Sequence, residues 1–463
     1  MKKFLVIMMG LLSVTYAQTT QNSFRTSYQN LHLDNEDLGL FETSYLFNFC
    51  NYYGNCIYTG ASVYSAVSGK RGGFFVSGLS GGYQYKFHKF IWDSGFFLGG
   101  GGGGAAPQGS GFMIKAHTGI SYRMGAFDLG LNVNHIEFPD GKIKSNQVAL
   151  QLAYNFKDIY LFKKPENLSY DLKHVYFAPF VLRYFPRSSN NTHQTKQESF
   201  NLIGAEIGQI DNSYLYFMEA GGAINGSSDG YAEYFFGMGK QMGPLQLKAS
   251  LGAAGGGSVN TAGGMAYKIG LATQFHNFKL QGGYYGTFQD TFKAYYLSFG
   301  YEKRFNLVTA GNHYTGGNID ISHFKLKIYN ERYLSSATIR KNSDTTPLDN
   351  LAFDLDYLLS HNIFVGITAS SAYSGNSGGY ATGMLNAGYI YNSTISPFIK
   401  LSVGAAGGGS VDVGGGLIAK AEAGVEFKNF FLGAGQIKAL NGNLNDTYLN
   451  IGVLYKFGRG TTR

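Results

Sequence analysis

The stretch "LIAKAEAGVEFK", Leu417 to Lys428, separates into two rows when alternate residues are read together. One row is Leu417, Ala419, Ala421, Ala423, Val425 and Phe427; the other is Ile418, Lys420, Glu422, Gly424, Glu426 and Lys428. Side chains alternate across a strand, so this segment has one apolar face and one charged face. The pattern occurs twice earlier. Tyr267, Ile269, Leu271 and Phe275 oppose Lys268, Gly270, Gln274 and His276, and Ile114, Ala116, Ile120 and Tyr122 oppose Lys115, His117, Ser121 and Arg123. Alternation over about ten residues is what a strand needs when lipid lies on one side and a polar interior on the other. A soluble antiparallel sandwich alternates too, so the rest of the chain has to decide.

Upstream of each such strand lies a glycine tract: "LGGGGGGAAPQGSGF" from Leu98, "LGAAGGGSVNTAGGM" from Leu251 and "VGAAGGGSVDVGGGL" from Val403. Aligned on Gly99, Gly252 and Gly404, they recur 153 and 152 residues apart. Sixteen residues on stand Lys115, Lys268 and Lys420, and seven further on Tyr122, Phe275 and Phe427. Upstream, "YSAVSGKRGGFF", "GGAINGSSDGYA" and "SSAYSGNSGGYA" occupy equivalent places. A period this long exceeds that of solenoids and propeller blades and points to three copies of a supersecondary module. Within the third copy, period-two segments bounded by turn residues predict strands near 323–332, 350–359, 362–373, 379–391, 396–406, 416–428, 430–440 and 446–457.

Composition agrees with strands. The chain has 66 Gly, 37 Phe, 35 Tyr, 8 Pro and one Trp, with 14% charged residues, a balance that favours strands and turns over long helices. "MKKFLVIMMGLLSVTYA" has the charged start, short apolar run and small-residue cleavage site of a secretory signal peptide, so the mature chain is expected to begin near Gln18. No later run is long and apolar enough for a helical span. The net charge of +8 is spread out, without the basic run that marks a nucleic-acid binder. Cys50 and Cys56 in "CNYYGNC" are the two cysteines; in an oxidising compartment they are expected to form a disulfide. A metal site is not expected, since no close His completes one.

The last strand closes the argument for a membrane barrel. "NIGVLYKF", Asn450 to Phe457, resembles the C-terminal signal that Gram-negative outer-membrane β-barrel proteins present to their insertion machinery. Here six residues, Gly458 to Arg463, follow it. The resemblance implies an all-β fold, an antiparallel transmembrane β-barrel in the outer membrane, with outer-membrane lipids and the barrel insertion machinery as partners. In lipid every backbone polar group must pair, so the sheet must close on itself. The second and first copies carry "SFGYEKRF" and "ALQLAYNF" at the equivalent place, without the full signal. The expectation is therefore one fused barrel of about 24 strands, with residues 1–17 as signal peptide, repeats at 18–156, 157–305 and 306–457, and a tail at 458–463. Three eight-stranded barrels, joined by "KDIYLFKKPENLSYDLK" and "NLVTAGNHYTGGNIDIS", are the alternative.

Two readings of the glycines follow. They supply curvature and hairpin turns at Ser258-Val259-Asn260 and Ser410-Val411-Asp412. Alternatively, they form smooth lumenal patches flanked by Lys115, by Lys268 with Lys248, and by Lys420 with Lys400, a lining that would hold or pass an anion. No catalytic motif emerges: the ten histidines are scattered, no GxxxxGK[ST] is present, and Glu422 and Glu426 share a row with Lys420 and Lys428 as a solvated lumen face. No cofactor is implied. The leading functional expectation is a porin-like channel for polar solutes or for export, with weak anion preference. The alternative is a surface structural or adhesive protein whose barrel is only an anchor, suggested by the polar segments "PRSSNNTHQTKQES" and "RKNSDTTPLDN".

Overall fold

The computed structural model describes residues 17–33, 36–161, 168–187, 189–315, 319–334, 339, 341–342 and 344–462. Residues 1–16 of the expected signal peptide lie outside them. The described elements are all β-strands. The first eight are β1 (Ala17–Leu33), β2 (Glu36–Cys50), β3 (Cys56–Ser68), β4 (Phe75–Phe87), β5 (Phe90–Gly102), β6 (Met113–Met124), β7 (Phe127–Glu137) and β8 (Lys144–Leu161). Next come β9 (Ser169–Pro186), β10 (Phe200–Asp211), β11 (Tyr214–Ala223), β12 (Ala232–Met242), β13 (Leu245–Gly255), β14 (Met265–Phe275), β15 (Phe278–Thr287) and β16 (Lys293–Tyr301). Two connecting strands follow, β17 (Lys303–Ala310) and β18 (Tyr314–Thr315). The last set is β19 (Asp320–Tyr333), β20 (Leu348–Leu358), β21 (Ile363–Ser374), β22 (Ala381–Ile390), β23 (Ser396–Gly407), β24 (Leu417–Phe427), β25 (Phe430–Ala439) and β26 (Asn445–Thr462).

Within β1–β8, β9–β16 and β19–β26 each strand pairs antiparallel with the next, and the pairing closes three times. β8 returns to β1, with Gln21 opposite Lys157. β16 returns to the upper half of β9, with Tyr296 opposite Tyr184. β26 returns to β19 along its length, from Asp320 opposite Thr461 to Tyr333 opposite Tyr448. Three eight-stranded rings result. The single fused barrel expected from the insertion signal is therefore corrected. Ring closure depends on whether an eighth strand finds the free edge of the first strand of its own copy, and all three do. A signal at the end of the chain says nothing about how many rings precede it.

The rings are stitched at the end where the termini lie. β17 continues β16 down the lower half of β9 and also meets the end of β26. Ile159, Leu161, Tyr170, Val308 and Ile319 form one buried cluster there. Arg459 pairs with Asp158 beside it, joining the third ring to the first. Short hairpins occupy this end, and one of them, between β2 and β3, carries the expected Cys50–Cys56 disulfide.

At the opposite end the glycine tracts find their use, which is neither a lumenal track nor curvature alone. The upstream segment of each ring docks on the glycine tract of another. A Cβ built on Gly73 would stand 2.2 Å from the backbone nitrogen of Gly256; one on Gly230, 2.9 Å from that of Gly408; one on Gly379, 2.9 Å from that of Gly103. Their φ angles are +88°, +85° and +93°, so each also needs the left-handed conformation glycine tolerates. Hydrogen bonds seal two of these seams: Gly72 N–H donates to Ala262 O at 2.7 Å, and Gly379 N–H to Gly101 O at 3.1 Å. Ring one meets ring two, ring two meets ring three, and ring three meets ring one, as a collar of backbone contacts. The expected turns are present as well, with Ser258 and Ser410 at positive φ.

Candidate functional site

Inside each ring the inward row of every strand converges on a small lumen. Lys115, Lys268 and Lys420 lie on the sixth strand of their rings, and all three point inward and are buried. Lys248 and Lys400 lie on the fifth strands and are buried too. The placement predicted from alternation holds, but the open cationic lining does not, because carboxylates surround every one of these lysines. Lys115 Nζ lies 2.8 Å from Glu42. Lys268 lies 2.8 Å from Glu219 and 2.6 Å from Glu233. Lys248 lies 2.6 Å from Glu206. Lys400 lies 2.7 Å from Asp354 and 3.0 Å from Glu422, and Lys420 2.7 Å from Glu331. Glu422 and Glu426 do face the lumen, whereas Lys428 sits exposed in the hairpin at φ +53°.

Further lumen residues complete the networks. In ring one, Arg25 lies 2.5 Å from Asp93, which also receives Tyr58 O–H at 2.8 Å and sits 3.0 Å from His117 Nε2. In ring two Lys279 bridges Glu206 and Glu302. In ring three Lys327 bridges Asp356 and Glu426. Aromatic rings pack among the charges, with Lys268 Nζ 4.6 Å from the centre of Phe235 and 5.7 Å from that of Tyr184. Burying a charge is costly unless it is paired and hydrogen-bonded, and these networks supply the pairing. Their acids were missed individually because each partner comes from another strand: Glu42 and Lys115 are 73 residues apart. The signal that places them inward is the same alternation.

Above the charges, at the glycine end, each lumen is capped by apolar side chains from its own loops. Phe74, Ala106, Phe138 and Ile143 cap ring one; Tyr231, Val259 and Phe292 cap ring two; Ile339, Val411, Val413 and Leu444 cap ring three. The described residues of the two polar segments are mostly exposed and form loops at this end, tied to it by backbone hydrogen bonds. Thr192 N–H donates to Ser258 O, and Lys341 N–H to Ser410 O. Eight strands enclose a space that side chains can just fill. In ring two a void of about 10 Å³ among Glu206, Glu219, Lys279 and Gln281 holds no more than the room one water needs, about 10–15 Å³.

The outer rows are the opposite. Leu129, Leu131, Val133, Val148 and Leu150 stand exposed on ring one, Ile269, Leu271 and Leu280 on ring two, and Ile399, Leu401 and Ile451 on ring three. Toward the hairpin end the outer face turns aromatic: Tyr85, Phe87 and Phe90 stack in series, Phe90 meets Tyr122 edge-on, and Phe127 and Tyr154 form a further pair. Phe275, Phe278 and Tyr301 continue the belt on ring two, and Phe427 and Phe430 on ring three. An outward apolar band edged by aromatic residues, around a polar interior, belongs to outer-membrane barrels. The chain has the fold of an outer-membrane β-barrel protein. In barrels of this kind the short turns face the periplasm, which for this chain would be the hairpin end, with the glycine collar on the outer side.

No family model matches the chain, and no curated protein does. Among solved structures it is similar to the outer membrane protein OpdK from Pseudomonas aeruginosa, at 8% identity over 96% of this chain and 99% of that one, with a TM-score of 0.25. A BenF-like porin from Pseudomonas fluorescens Pf-5 gives 9% identity, 96% and 98% coverage and a TM-score of 0.25. Acinetobacter baumannii OccAB3 gives 10%, 96% and 100%, and 0.23. At TM-scores this low the likeness fixes neither ring number nor closure, and no solute or selectivity carries over to this barrel.

Proposed function

We propose that this outer-membrane barrel is a structural anchor whose three lumens are closed to bulk solutes. The carrying observation is that each lumen is filled at two levels, by an apolar loop cap and by a neutralised ionic network beneath it. An anion entering ring two would meet Glu206, Glu219 and Glu233 as well as Lys248, Lys268 and Lys279, so the geometry gives weak anion preference no support. The continuous polar lining favours a second reading, a gated porin-like channel whose cap moves aside. Single-channel recording of the folded chain in a planar bilayer separates the two. The anchor reading expects a quiet membrane across the usual voltage range. Large steady conductance steps would overturn it and establish the channel.

A further inference from the structure

The three rings touch at the glycine collar and at the periplasmic stitch, rings one and two also meet below the collar through Ser65 with Tyr234 and Phe24 with Phe236, and between these contacts the outer faces leave a gap. The gap is a cavity of about 2020 Å³. Phe75 of ring one, Phe177, Ile207 and Phe236 of ring two, and Ile367 and Val403 of ring three belong to its wall. Gly73, Gly230 and Gly379 lie at its outer end, where the collar's backbone contacts close it. At its periplasmic end the lining becomes polar: His174, Lys303, Arg304, His323 and His361, with Asp320 as an opposing acid. Arg304 is held in place there by Glu302 and Gln274.

The lumen acids Glu206, Glu219 and Glu233 also border the cavity, but its walls are mainly the outward row that elsewhere faces lipid. A cavity lined by apolar side chains is not one that water fills, since each water needs two to four polar partners. In a bilayer the medium available to fill it is acyl chain. We propose that the cavity is a built lipid site: the acyl chains of an anionic phospholipid of the periplasmic leaflet fill the shaft, and its phosphate lies at Lys303 and Arg304. Charge complementarity at the mouth selects the headgroup. The sealed collar means that lipid enters from the periplasmic leaflet. This rests on the outer-membrane reading, which membrane fractionation and heat-modifiable gel mobility test separately.

The test is native mass spectrometry of the folded chain, reconstituted from mixed phosphatidylethanolamine and phosphatidylglycerol vesicles and then washed in detergent to strip annular lipid. The expected result is retained phospholipid enriched in phosphatidylglycerol. Lys303→Glu is expected to lower that enrichment about fivefold or more, because one basic residue near a membrane surface is worth about that factor. The paired substitution Ile207→Trp and Ile367→Trp fills the shaft and is expected to lower total retained lipid while Lys303 is intact. A heat-modifiable, folded chain that carries no lipid would overturn the proposal. So would equal retention in the filled variant, or a polypeptide in the gap.

Discussion

Truncating one lumen lysine tests the filled-barrel reading most directly. Lys115 and its partner Glu42 have side chains only 3% and 6% exposed, 2.8 Å apart, and the Tyr64 hydroxyl lies 3.1 Å from the same ammonium. Lys115→Met keeps much of the aliphatic stem but leaves Glu42 buried without its counter-charge. Breaking a buried pair from one side costs about 3–5 kcal/mol. With a slope of about 2 kcal/mol per molar urea, the unfolding midpoint should fall by about 1.5–2.5 M. The chain provides its own reporter: the single tryptophan, Trp92, is on β5 of the same ring, half exposed and donating to Thr118 at 3.0 Å. Its emission during urea unfolding in lipid vesicles follows ring one. The double substitution Lys115→Met with Glu42→Gln should recover most of the loss, since no unpaired charge then remains. A lysine lining an open pore behaves otherwise: solvent already compensates it, and its loss alters ion selectivity with little change in stability. A midpoint shift under about 0.5 M together with an altered reversal potential would refute the filled-lumen argument.

Two further substitutions probe the outside and the seams. Leu131, 58% exposed in the middle of β7, should lose about 2–4 kcal/mol on replacement by Arg if it faces the bilayer midplane, read from the same urea transition; a change near zero would place it in water. Gly379→Ala adds a Cβ 2.9 Å from the Gly103 nitrogen and should lower disulfide yield between Ser77→Cys and Ser371→Cys across that seam, where the native hydroxyls are 2.8 Å apart, in a background lacking Cys50 and Cys56. Gly125→Ala is the control, because its φ of +64° carries similar backbone strain with nothing within 4 Å; equal yields from the two variants would remove the docking role.

Local structure was legible from residue order. The eight strands expected in the third copy match β19 to β26 within a few residues, and in Leu417–Lys428 the two rows divide between outside and inside, Lys428 excepted. Both signals are carried by neighbours in the chain. What was not legible depends on pairing at a distance. Whether β16 hands on to a ninth strand or returns to β9 changes no period-two pattern, since every strand has the same two faces in either topology. The lysine partners were hidden for the same reason: Lys420 meets Glu331 across 89 residues. A positive residue on an inward face can be a free lining or half of an ion pair, and only the diameter of the ring separates the two.

Ring diameter also connects the glycines to the lysines. A single wide barrel would leave its lysines in water and need no contact between repeats. Closing at eight strands brings Lys268 within reach of both Glu219 and Glu233, so the inward charges neutralise one another and the lumen fills. The same closure turns three repeats into three separate cylinders, and cylinders with apolar outer walls touch only along narrow lines. Side chains at those lines would hold the walls apart. Glycine at Gly73, Gly230 and Gly379, set against the tracts at Gly256, Gly408 and Gly103, lets backbone meet backbone where the cylinders come closest. The dense tract written three times is thus the counterpart of small, filled rings: a chain that closes its sheet early needs another way to hold its parts together, and here that way runs through residues without side chains.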